Sequence, residues 1–363
     1  MPGSRRSALL AMAASAVLAL AGVAVVPPSE AATGTCPAAP RVIHAQPGSD
    51  LVGAVTSLCA GDTLALAPGT YPGALLHLYA GAIGRYGVRQ GTSTAPITIT
   101  SEDPTHPALL QGSIQLYNVN FWRLSHLRVQ AVGANTVALL MSGGLGWQVI
   151  YSEFFGARQT HAMTNVLIAG SGGYPSHFMF AYNRVHDAAL VTRGSDHNVY
   201  LMFHGAPGSG GVVTRNAIWN APYGENIKIG DGGTYNAPGP WGLTVTFNTL
   251  FGGGRQILLH GNVRNNVIAG NLLVKATQAF VSNPRTTEIY IHDVTGTGNV
   301  FHHNYAFMAS MFTYDPAHAA TYGIGNRMYN DAAHDPWIGT NAGRPLYASN
   351  PLAMPYGAYG TGH

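Results

Sequence analysis

Charge is scarce in this chain: Asp, Glu, Lys and Arg together supply 9% of its 363 residues, and the formal net charge is only +3. No run of basic residues occurs, so a nucleic-acid-binding surface is not expected. Cysteine is nearly absent as well. The two present, Cys36 and Cys59, cannot build a structural zinc site on thiolates. Lysine is reduced to Lys228 and Lys275. Helical periodicity is lacking between the apolar segments, which excludes helical repeats and bundles and leaves strands as the regular elements.

What the chain has instead is a double polar repeat. One series closes short apolar strands: Ser101, Ser125, Ser152, Asn183, Asn216, Asn248, Asn271 and Asn304, at intervals of 24, 27, 31, 33, 32, 23 and 33 residues. A second series precedes another strand in each period: Thr136, Asn165, Asn198, Asn226, Gln256 and Gln278. Two strands per period of 20 to 35 residues, in fixed phase, are the mark of a solenoid. With no helix in the repeat, the prediction is an all-β, right-handed parallel β-helix. An Asn repeated at one corner can bond its counterparts above and below, satisfying polar groups that the tight turn buries.

The N-terminus reads as an export signal. Arg5-Arg6 precede an uncharged run from Ala8 to Val26, then Pro27-Pro28 and a Ser29-Glu30-Ala31 small-residue site, with cleavage expected near Ala31 or Ala32. An uncleaved anchor and a twin-arginine signal are alternatives that these residues match less well. The predicted layout is a signal peptide over 1–31 and a single β-helix domain over 32–363. Within it, 33–60 form a cap, about 61–310 the coils, and 311–363 a loop-rich C-terminal cover. The mature protein is expected to be secreted, monomeric and free of the membrane. In an oxidising compartment Cys36 and Cys59 most simply form one disulfide. The loop between them contains DLVGAVTSL, whose Leu51, Val55 and Leu58 spacing predicts a helix covering the open first coil. Two stretches, 231–241 and 283–298, read as loop excursions, the usual carriers of substrate contacts on a rigid scaffold.

GDTLALAPGTY (61–71), APITITSED and NFWRLSHLRV resemble the opening of secreted β-helix proteins of the pectate-lyase-like superfamily, particularly polysaccharide lyases of the alginate lyase and chondroitinase B type. ENIKIG (225–230) and LLHGNVRNNVIAGNLL (258–273) resemble the active-site stretch of those lyases. There a Lys on one coil acts as base and an Arg just before a His-Gly pair assists. Lys228 matches the Lys and His260-Gly261-Asn262 the His-Gly-Asn, but Leu259 stands where the Arg would be. Arg255, four residues earlier, is the candidate to supply that charge.

Strand alternation puts Ile227 and Ile229 in the core and turns Asn226 and Lys228 outward, with Tyr200 and Leu258 at equivalent positions on neighbouring coils. β-Elimination at a uronic acid needs a base for the C5 proton, an acid for the leaving oxygen and a group to neutralise the carboxylate. Lys228 is the candidate base, Tyr200 or His260 the acid, and Asn198, Asn226 or Arg255 the carboxylate holder. His197, His204, Tyr223 and Trp241 are candidates for sugar contacts. Glu225, Asp196 and Asp231 are candidate oxygen ligands for calcium, the one cofactor considered. The reading is therefore a lyase for an acidic polysaccharide, which the mild positive charge suits. Two alternatives stay open: a glycoside hydrolase using Asp196 and Glu225, and a non-catalytic carbohydrate-binding protein.

Overall fold

The computed structural model describes residues 35–80, 87–170, 173–191, 196–230, 238–277, 287–292, 294–309, 311–314, 325–341 and 344–358. Its described strands stack into the predicted parallel β-helix. One face is a 10-stranded sheet running from Val42–Ala45 to Val300–His302, and a 16-stranded sheet covers the remaining faces. The second sheet turns a corner because strands Leu109–Tyr117, Ala217–Ile229 and Thr249–His260 run through the bend and pair on both sides of it. Register is what builds the core. Val149, Phe180, Val213, Val245, Ile268 and Phe301 align coil on coil and are all buried. Such a row removes apolar surface from water only because the next coil covers it.

The first polar series is a continuous buried ladder. The backbone N–H of Asn183 donates to Asn216 Oδ1 at 2.9 Å, Asn216 to Asn248 at 3.0 Å, Asn248 to Asn271 at 2.9 Å and Asn271 to Asn304 at 3.0 Å. Each side-chain amide also donates to a strand carbonyl, as Asn248 Nδ2 does to Val213 at 2.9 Å. The ladder runs one rung beyond the sequence reading, to Asn326. The residue just before each corner adopts a left-handed conformation: Tyr151, Tyr182, Arg215 and Phe247 have φ of 52°, 58°, 55° and 53°. Their side chains point outward and stack, Tyr151 on Tyr182 with centroids 4.8 Å apart. Gly270, with φ of 64°, occupies the same position where a Cβ would meet the Phe247 ring.

The second series marks the bend. Asn165 donates to Asn198 at 2.9 Å, Asn198 to Asn226 at 2.8 Å and Asn226 to Gln256 at 2.6 Å, all four residues being fully buried. The same amides hold the carbonyls of His186, Trp219 and Phe251 across the corner. Two members differ from expectation. Thr136 lies two residues off the ladder, since Val166 pairs with Leu139 and so sets Ala138 beside Asn165. Gln278 lies outside the described residues. The rung beyond Gln256 is taken by Glu288, one position before the Ile257–Ile289 pair, and Glu288 is fully buried.

Segment 283–298 departs from its loop reading: Thr287–His292 is a strand, with Ile289 and Ile291 in the core. The cap forms as expected. Helix Leu51–Thr56 is N-capped by Asp50, Leu51, Val55 and Leu58 are buried, and Cys36 and Cys59 are disulfide-bonded. At the other end an antiparallel hairpin, Ile338–Asn341 with Arg344–Ala348, accompanies a segment whose Ala353 and Tyr356 pack on Leu272, Val274, Tyr305 and Phe307. Among the described residues no helix is long and apolar enough to cross a membrane.

Asn248→Ala strands the Asn216 N–H and the Val213 carbonyl in a buried corner, at about 1–3 kcal/mol for each group. The expected loss is on the order of 3–5 kcal/mol in urea unfolding, and a shift of the midpoint too small to resolve would contradict the ladder's role. Burial pushes the Glu288 carboxyl well above its ordinary value of 4.5. A raised acid favours the protonated fold, so its contribution is fully present below 4.5 and is lost as pH rises through the folded value. Glu288→Gln should abolish that alkaline loss, measured as unfolding midpoints from acid to alkaline pH.

Candidate active site

Lys228 stands on the outer side of the strand Ala217–Ile229, beside Tyr200 on one neighbouring coil and Leu258 on the other. The alternation inferred from NIKIG holds here: Ile227 and Ile229 are fully buried, while Lys228 is half-buried. Its ammonium lies 4.6 Å from the centre of the Tyr200 ring, a cation–π contact that fixes a long and otherwise mobile side chain. Beyond Leu258 the same row continues to Tyr290, and the row beside it carries His260 and His292, stacked at 5.2 Å.

At the foot of Lys228, just before the corner, three ionisable residues from successive coils meet. Arg255 forms an ion pair with Glu225, and His197 Nδ1 lies 2.6 Å from the other Glu225 oxygen. All three are almost fully buried. The Glu225 backbone N–H lies 3.3 Å from the same Nδ1. Nδ1 thus faces both the Glu225 backbone N–H and its carboxylate. His197 Nε2, buried and without a hydrogen-bond partner among the described residues, lies in a ring set edge-on to Tyr200 at 5.3 Å. The Arg255 guanidinium also stacks over Tyr290 at 4.7 Å.

The electrostatics follow from this packing. Burial alone would raise the Glu225 carboxyl, but Arg255 and then His197 outweigh it and hold it down to about 2. Burial lowers the His197 imidazole, with Glu225 opposing and Lys228 and Arg255 adding to the shift. The result is an ionised carboxylate locked between the Arg255 guanidinium and the His197 imidazole, next to a lysine on an outward face.

Several sequence assignments change. Asn198 and Asn226 do not face a ligand: the chain bends at them, so alternation fails and their amides turn into the corner ladder. Glu225 does not fit a calcium ligand, because both its oxygens face cationic or proton-donating partners rather than a cavity of further oxygens. Asp196 accepts the Val191 N–H at 2.7 Å, and among the described residues no group of three His, Cys, Asp or Glu side chains forms a metal cage. Asp231 lies outside the described residues. Glu225, buried and ion-paired with Arg255, is held in its ionised form and so does not suit a glycosidic proton donor. His204 is exposed after strand His197–Met202, Tyr223 is exposed at the bulge, and Trp241 faces Arg264 at 5.6 Å in a separate two-stranded sheet. Leu259 is a core residue, paired with Ile229 and Ile291, whereas Arg255 reaches the cluster. The sequence reading missed Tyr290 and Glu288 and took His292 for a turn residue, whereas it ends strand Thr287–His292; the alternating TEIYIH pattern was the signal for that strand.

No family model and no curated protein matches the chain. Among solved structures it is similar to an alginate lyase from Paenibacillus sp. str. FPU-7, with 21% identity, a TM-score of 0.43, and 80% of this chain and 95% of that one covered. A PL6 alginate lyase in complex with a trisaccharide gives 14% identity and a TM-score of 0.46 over 73% of this chain and 60% of that one. Pectate lyase Pel9A gives 12% and 0.41 over 81% and 84%. These identities and TM-scores are low, and the parallel β-helix is read from the strand stacking of this chain itself.

Glu225→Gln would leave Arg255 buried without its counter-charge, an expected cost of about 3–5 kcal/mol. Because the Glu225 value falls from 4.5 to about 2 on folding, its contribution is present above 4.5 and is lost as pH falls toward 2. Urea midpoints of wild type and variant, compared at neutral and acid pH, should converge in acid. Parallel curves would contradict the assignment.

Proposed function

We propose that this protein is a polysaccharide lyase that cleaves a uronic-acid-containing polysaccharide outside the cell by β-elimination. The observation that carries the reading is the position of Lys228: a lysine in a chain with two of them, set on an outward strand row against Tyr200 and above the buried Glu225–Arg255–His197 group. A bare surface lysine has no such support beneath it.

In the proposed reaction a uronate ring lies over the row with its C5 hydrogen toward Lys228. The lysine, in its amine form, takes the C5 proton. The electrons of the C5–H bond form the C4=C5 double bond, the C4–O bond breaks, and the departing oxygen gains a proton from His260, half-buried in the adjoining row. Tyr200, the other sequence candidate for the acid, has its hydroxyl buried and instead packs against Lys228. Arg255, clamped by Glu225 and stacked on Tyr290, contributes fixed positive charge near the carboxylate, where charge develops as C5 loses its proton. Preorganisation is the contribution of the buried ion pair: the guanidinium does not need to reorient during the reaction. Hydrolysis by paired carboxylates loses support, because Glu225 is committed to Arg255.

General acid–base groups contribute about 10²–10⁴-fold to rate. Lys228→Ala should therefore lower turnover by that order while thermal unfolding stays near wild type. The assay is ultraviolet absorbance of the unsaturated uronate product. New reducing ends without that absorbance would make the enzyme a hydrolase. Polymer binding with neither signal would make it a binding protein, and an active Lys228→Ala variant would move the base elsewhere.

A further inference from the structure

The strand face on the N-terminal side of Lys228 differs sharply from the site itself. Register extends the Lys228 row through Tyr200, Leu167, Leu140 and Gln115 to His77. The adjoining row reads Met202, Ala169, Ser142, Tyr117 and Tyr79. Across these strands, roughly 24 Å at about 4.8 Å per step, the two rows contain no Asp, Glu, Lys or Arg among the described residues. Leu140 and Leu167 are half-buried floor positions. At the far end Tyr79 stacks on Tyr117 at 4.4 Å, and its hydroxyl is 2.7 Å from His77 Nε2. Burial lowers the His77 imidazole, which favours its neutral form.

Cationic charge on these rows is thus that of Lys228, since Arg255 is buried and paired with Glu225, and the face leading to it is apolar and aromatic. We propose that the substrate is a heteropolysaccharide whose uronates are separated by uncharged sugars, with one uronate seated at Lys228 and neutral residues lying over Leu167, Leu140 and the Tyr117–Tyr79 end. This rests on the lyase reading of the same site. Its physical basis is complementarity. A polymer with a carboxylate on every sugar would bring charges over Leu140 and Leu167 with no counter-ion, at a desolvation cost. The C–H faces and hydroxyls of neutral sugars suit an apolar floor with Gln115 and tyrosine hydroxyls at its margin.

The test compares kcat/KM, by unsaturated-product absorbance, on homopolyuronates (alginate, polygalacturonate, polyglucuronate) and on polymers with separated uronates (deacylated gellan, rhamnogalacturonan I, unsulfated chondroitin). The expected result is that the best separated-uronate polymer exceeds every homopolyuronate by about tenfold or more, the scale of one misplaced charge. Leu167→Arg, at a half-buried position, should raise homopolyuronate cleavage about threefold or more by supplying a counter-charge. Homopolyuronates cleaved as well as or better than the others, with Leu167→Arg without effect, would overturn the inference and leave the lyase reading standing. No unsaturated product from any polymer would overturn the lyase reading and this inference with it.

Discussion

The structure depends on side-chain amides that hydrogen-bond to backbone at corners where water is excluded. A stacked coil must turn its chain tightly, and each turn buries N–H and C=O groups that no strand ladder can reach. The Asn183–Asn326 ladder supplies both partners, accepting from the N–H of the coil below and donating to a strand carbonyl. Asn can do this because its amide carries an acceptor and two donors on a short, stiff stem. The apolar rows fill the coil, but they would tolerate a slip by one residue far less well without corners that lock the phase.

The second ladder has a consequence for chemistry. It runs beneath the candidate site, and its Asn226 lies between Glu225 and Lys228 in sequence. Locking Asn226 into the corner fixes both neighbours: Glu225 falls just before the bend and turns into a buried pair, while Lys228 emerges two residues later on the outer face. A rigid corner thus places a buried ion pair just before the outward-facing Lys228. Solenoids suit this role because each coil contributes one side chain per row. His197, Glu225 and Arg255 come from three successive coils, as do Tyr200, Lys228 and Leu258.

The C-terminal half of the site is assembled by a strand that disrupts the simple repeat. Thr287–His292 brings Tyr290 against Arg255 and His292 against His260. Glu288 stands at the register position beyond Gln256, buried and pushed toward its neutral form. Polar variety at the end of the ladder coincides with the chemically richest part of the face.

Much of this was legible in the sequence because its causes are local or periodic. Asn and Ser at fixed phase with apolar strands determined the parallel β-helix and the register that sets Lys228 beside Tyr200 and Leu258, and the Leu51, Val55 and Leu58 spacing determined the capping helix. The sequence did not show which polar residues are ladder and which are site. Asn198 and Asn226 looked outward-facing because alternation assumes a straight strand, whereas the bend turns them inward. Glu225 looked like a metal ligand or an acid because its partners, His197 and Arg255, lie 28 and 30 residues away and meet it only when coils stack. Composition and period determine a coil; which charges become neighbours is decided by stacking, since burial and pairing are properties of adjacent coils and not of the chain.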